Sequence, residues 1–112
     1  SLYYFDKIEF NLLLENFINS LKPKGILYAS MISDKHTYKK FSKKIKNSWL
    51  SEVNWKNHRV NIKKYYINFI KDYLDMKRKF NSLKILFLGS YEIQLSDKES
   101  NGHHYTIVAQ KK

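Results

Sequence analysis

The chain has 112 residues and a net charge of +11, with one Pro, three Gly and no Cys. That length is one domain or part of one, large enough to bury a core, and an apolar share of 43% excludes a largely disordered chain. Without Cys there is no disulfide, no thiol nucleophile and no thiolate metal site, and the excess of Lys and Arg points to anionic partners.

Asp6 to Ser33 reads as a helix, a tight turn and a buried strand. Phe10, Leu13, Leu14, Phe17, Ile18 and Leu21 recur at three- and four-residue steps, which predicts a helix over 7–20. Asp6 and Glu9 have the spacing of a capping box at its start. Pro23 and Gly25 stop it, and Ile26 to Ile32 is a nearly continuous apolar run that predicts a strand. Apolar on both faces, that strand expects cover on both, as in the parallel sheets of α/β proteins. Tyr38, Phe41 and Ile45 predict a short helix over 37–48, with Asp34 or Thr37 as cap. Residues 49–60 lack a clean period and read as a loop or irregular strand. Ile62, Tyr66, Phe69, Ile70, Tyr73 and Phe80 predict a further helix over 61–79, starting at Asn57 or Asn61. The chain closes on a hairpin: a strand over 85–95, an apolar-free turn over 96–102, and a strand over 104–110 whose Tyr105, Ile107 and Ala109 alternate with Thr106, Val108 and Gln110.

SLYYFDKIEFNLLLENFINSLKPKGILYASMIS at one end and KILFLGSYEIQLSDKESNGHHYTIVAQKK at the other resemble the C-terminal half of class I S-adenosylmethionine-dependent methyltransferases. In that family an aromatic turn leaves the fourth strand, a helix ends in L-K-P-G-G, and a buried strand follows. Here the turn is Leu21-Lys22-Pro23-Lys24-Gly25, with Lys24 in place of the first Gly. The resemblance implies an α/β fold. It would be the C-terminal half of a Rossmann-like sheet, with three strands (26–32, 85–95, 104–110), a closing antiparallel hairpin and about three helices (7–20, 37–48, 61–79). A basic helical insert would occupy about 35–60. It implies S-adenosylmethionine as cofactor, held by Ser1, Leu2 and Tyr3, with Tyr4, Phe5, Met31, Ser33 and His36 toward the substrate. Gly25, Gly89 and Gly102 are too scattered to form the family's glycine-rich cofactor loop. The resemblance also begins in mid-motif. Both facts imply sequence upstream of Ser1 and a portion inactive alone, with the missing N-terminal half or a second copy of the chain at the open sheet edge.

The charge is concentrated: residues 35–84 hold fifteen Lys and Arg against Glu52, Asp72 and Asp75. Lys39, Lys40, Lys43, Lys44 and Lys46 are the candidate polyanion contact, with Tyr38, Trp49, Trp55, Tyr65 and Tyr66 interleaved as stacking platforms. The plainer reading is a lysine-biased composition on solvated helix faces. The alternatives to an enzyme are a small basic nucleic-acid-binding α+β module without enzymatic activity and a non-catalytic remnant that acts by pairing with another chain. No apolar run reaches membrane-spanning length and the start is not a signal peptide, which with the lack of Cys fits the cytoplasm.

Each site residue also has a plainer role. Tyr3, Tyr4 and Phe5 either line a pocket or staple the helix start. His36 is either a general base or an exposed helix-start His. His58 and Trp55 either cap the pocket or pack. His103 and His104 are adjacent in a strand and point to opposite faces, so they do not make a metal pair. No catalytic residue stands out. Methyl transfer does not require one, because the sulfonium carbon is already activated and alignment does most of the work.

Overall fold

The computed structural model describes residues 2–57, 60–94 and 101–112. Ser1, His58 and most of the turn expected at 96–102 lie outside the described residues. In chain order the elements are a 3₁₀ turn (Leu2–Tyr4), α1 (Lys7–Ser20), β1 (Ile26–Ile32), a second 3₁₀ turn (Thr37–Phe41), β2 (Ser42–Lys44), β3 (Ser51–Asn57), β4 (Val60–Ile67), α2 (Tyr73–Lys79), β5 (Lys84–Gln94) and β6 (Asn101–Gln110).

Asp6 caps α1 from an extended backbone, its Oδ1 accepting from Lys7 N at 2.8 Å. The same carboxylate also accepts from Ser48 Oγ at 2.5 Å and from Trp49 N at 2.9 Å, so the helix start is tied to a turn 42 residues further on. Those bonds, the one from Ser48 first, hold its carboxyl below the usual range. After α1, Lys24 takes φ 63°, the left-handed region that suits glycine. It is the position at which the resemblance expects Gly.

β1, β6 and β5 form one sheet in that order, each neighbouring pair antiparallel. The closing strand thus lies beside 26–32, as expected, and Leu27 pairs with Ala109, Ala29 with Ile107 and Met31 with Tyr105. Phe10 and Leu14 of α1, Met76 of α2 and Phe80 just after it cover that row, and Phe10 meets Phe80 edge-on at 5.7 Å. Burying these side chains is the main source of stability, each contributing about 1.5–3 kcal/mol. The opposite face carries the row Tyr28–Val108–Phe87, in which Tyr28 is 65% and Phe87 55% exposed. β1 was expected to be covered on both faces; the helices cover one, and Ile26 and Tyr28 stay exposed.

The three-helix α/β architecture is corrected by a second antiparallel sheet, β2–β3–β4, which makes the described chain mostly β with two α-helices. The helix expected over 37–48 is a five-residue 3₁₀ turn followed by β2. The helix expected over 61–79 is β4, an extended stretch and only then the seven-residue α2. The described residues of the basic insert at 35–60 are accordingly strands and turns. Val60, Ile62, Tyr65, Tyr66 and Ile67 are β-branched or aromatic, residues that favour a pleated surface. Along β4, Tyr65 and Ile67 turn inward while Lys64 and Tyr66 turn out. Helical spacing and strand alternation share several of these positions, and pairing with β3 (Ser51 to Ile67, Val53 to Tyr65) decides between them. Ile32, Val53 and Ile67 form the small core joining the two sheets.

Candidate functional site

The carboxyl end of β1 gathers most of the site residues expected from the sequence. Leu2 and Tyr3 pack partly buried against the core, and Tyr3 O accepts from Asn68 N at 2.7 Å. Tyr4 lies against Tyr3 with ring centroids 4.6 Å apart. Desolvation, with Tyr3 beside it, pushes the Tyr4 hydroxyl up to about 12, so it is neutral and a donor at ordinary pH. Phe5 is 37% exposed. Met31 has no exposed surface and belongs to the core. Ser33 is equally buried; its Oγ accepts from Lys35 N at 3.0 Å and shapes the turn after β1.

His36 caps the second 3₁₀ turn, its Nδ1 accepting from Tyr38 N at 3.0 Å. That bond needs a lone pair on Nδ1, so the proton of the neutral ring sits on Nε2. Burial first, and His104 and His103 second, push His36 down to about 4. It is a buried cap, not the exposed histidine of a helix start. Tyr38 stacks on Tyr65 at 6.1 Å, and His36 meets His104 edge-on at 5.5 Å. His104 has the other tautomer: Nδ1–H donates to Gly102 O at 2.8 Å, and the ring stacks on Tyr91 at 5.0 Å. His103 faces the opposite side of β6, edge-on to Tyr105 at 5.2 Å.

Beside β1 runs a groove of about 580 Å³, lined by Leu2, Tyr3 and Phe5, by Leu13 and Phe17 of α1, and at one end by Tyr91 and His104. The α1 stripe read from the sequence therefore divides. Phe10, Leu14 and Ile18 enter the core, whereas Leu13 and the half-exposed Phe17 face the groove. The groove follows an open strand edge. Ser33 N donates to His103 O and Lys111 N to Gly25 O, so odd-numbered positions of this stretch point their backbone groups at β6. The even-numbered ones point away. Ile32 O accepts from Ile70 N at 2.8 Å, which closes the far end of that edge, while Ile26, Tyr28 and Ser30 have no strand beside them among the described residues.

Leu2, Tyr3, Phe5 and His104 thus share one groove, and Tyr4 and His36 adjoin it through the Tyr3, Tyr38 and Tyr65 rings. Sequence reasoning missed Tyr91 and gave Tyr38 a different role, as a platform for a polyanion. Tyr91 becomes visible only through its register opposite His104. Lys39, Lys40, Lys43, Lys44 and Lys46 are all exposed, on the 3₁₀ turn, β2 and the following turn. No helix among the described residues is long and apolar enough to cross a membrane. Scanned against models of known families the chain matches none, and a search of curated proteins returns no match.

Proposed function

We propose that this chain supplies the acceptor-side portion of a cytoplasmic S-adenosylmethionine-dependent methyltransferase, the glycine-rich cofactor loop coming from a segment that pairs with the free edge of β1. The observation that carries this reading is the sheet order, in which the closing strand lies antiparallel between β1 and β5. The family resemblance implies that insertion, and a simple meander would not produce it. The groove along the free edge fits the second half of the proposal, because it brings Leu2 and Tyr3 to the side where the cofactor-bearing half would pack.

In this reading Leu2 and Tyr3 contact the cofactor, and Tyr4 and Phe5 contact the acceptor. His36 holds the turn after β1 and takes no proton, since its Nδ1 is already occupied. The cofactor supplies an activated methyl group. The chain's aromatic residues position the acceptor and exclude water, effects that together reach several kcal/mol. The test uses the native polypeptide isolated from its source and crosslinked by ultraviolet light to radiolabelled S-adenosylmethionine. Label within residues 2–5, lost in Tyr3→Ala, is expected. A native polypeptide that does not bind the cofactor overturns the reading.

The five exposed lysines favour a second reading, a nucleic-acid-binding module. Oligonucleotide affinity that falls steeply with salt, and loses that slope when Lys40, Lys43 and Lys46 become Gln, would favour it over the enzyme.

A further inference from the structure

A second and larger cleft, about 970 Å³, lies between α1, α2 and the second sheet, away from the groove beside β1. Its walls are of two kinds. Leu14, Ile18, Trp49 and Phe69 give an apolar side, and six cationic side chains face three carboxylates around the remainder. Lys79 reaches into the floor with its side chain 9% exposed. Its Nζ donates to Asn68 Oδ1 at 2.9 Å, lies 3.3 Å from Asp75 Oδ1 and sits 4.8 Å over the Trp49 ring. Burial lowers its affinity for a proton, against the pull of Asp75. Asn68 is 1% exposed, and with Oδ1 taken by Lys79 its Nδ2 has no acceptor. A buried donor without an acceptor is destabilising, and a ligand oxygen brought to it offsets that cost.

The rim cations are not neutralised from within. Lys39 lies 5.2 Å over the Phe69 ring, and Lys44 Nζ donates to the carbonyl of Ser48. Among the described residues neither they nor Lys71 and Arg78 pair with a carboxylate. Cations collected in a concave, partly apolar site focus positive potential on its interior. A floor with one unmatched donor beside the Lys79 ammonium, a cationic rim and an apolar wall together fit a small anion on an organic body.

We propose that this cleft binds a phosphomonoester, with the phosphate held by Lys79, Asn68 and the rim cations Lys71 and Arg78, and the organic part resting on the partly exposed Ile18, Trp49 and Phe69. The assignment does not depend on the methyltransferase reading, because it uses none of the groove residues.

The test is calorimetric titration of the chain with inorganic phosphate, adenosine 5′-monophosphate and adenosine at low salt. Adenosine 5′-monophosphate should bind tightest, inorganic phosphate more weakly and adenosine not measurably. The double variant K71Q/R78Q should weaken the monophosphate at least about ten-fold, while K22Q/K24Q, which removes the same charge elsewhere, should leave it unchanged. Asn68→Asp keeps the size of the floor residue and reverses its preference, so it should abolish binding even where Lys79 variants fold poorly. Equal losses in K71Q/R78Q and K22Q/K24Q would reduce the effect to net charge and overturn the site. So would binding of inorganic phosphate as tight as the monophosphate, or no binding of either.

Discussion

His36 shows how a single side chain sets a pH limit on the fold. Its ring is 4% exposed, caps a turn through Nδ1 and faces His104, with His103 and Lys35 nearby. Folding lowers it from 6.5 to about 4, so between those values the unfolded chain takes up a proton that the folded chain refuses. The stability due to the neutral ring is complete above about 6.5 and falls as the pH drops toward 4. His103, shifted the same way by burial, adds to the loss. Going from pH 7 to pH 4.5 should cost about 1–2 kcal/mol from His36 once solvent screening is discounted. His36→Asn keeps an acceptor for Tyr38 N but does not titrate. Urea midpoints against pH should therefore be flatter in the variant; an unchanged slope would assign the loss to other groups.

At the scale of elements, the two sheets rest on cores of different size. Eleven buried residues hold the first sheet to α1 and α2, and three hold the second. Ile67→Ala removes one of those three and should cost about 2–4 kcal/mol through the cavity it leaves. Local stability follows local burial. Amide exchange at 51–54 and 64–67 should accelerate at least about ten-fold in the variant, while 105–109 stays protected. Uniform acceleration would mean that the sheets unfold as one unit.

The same contrast explains which elements could be read in advance. α1 was legible because a cap, a 3.6-residue stripe and Pro23 agree on its limits. β1 and β6 were legible because one is an apolar run and the other alternates. β4 was not. Its apolar residues satisfy both periods, no Gly or Pro separates it from α2, and its pairing with β3 is information that local sequence does not hold. At the site, Tyr3, Tyr4 and Phe5 were found from their motif, and Tyr91 was hidden because only the register brings it to His104. Ser33 and Met31 sit at the strand end as expected, but burial gives them to the core and the turn.

For the whole molecule, what matters is the surface that folding leaves bare. Among the described residues Ile26, Tyr28 and Ser30 aim backbone groups along an edge with no neighbour, Leu13 and Phe17 border it, and the row Tyr28–Val108–Phe87 faces away from the helices. Such an edge is a template for another strand, and an apolar face next to it adds area to the contact. The net charge of +11 opposes association at a distance, but it is concentrated in residues 35–84, which contribute little to this face. The isolated chain should therefore self-associate at micromolar concentration. Added salt should strengthen that association by screening the like charges. The double variant I26K/Y28K places two ammonium groups on the edge and the bare face, and should weaken association at least about ten-fold. Leu74→Lys changes a residue 53% exposed on α2 and should have no effect. Sedimentation velocity over a concentration series reads all three chains. A wild-type chain that stays monomeric at high concentration would show that the edge of β1 needs no partner, and would remove the groove beside it as the place where a second half docks.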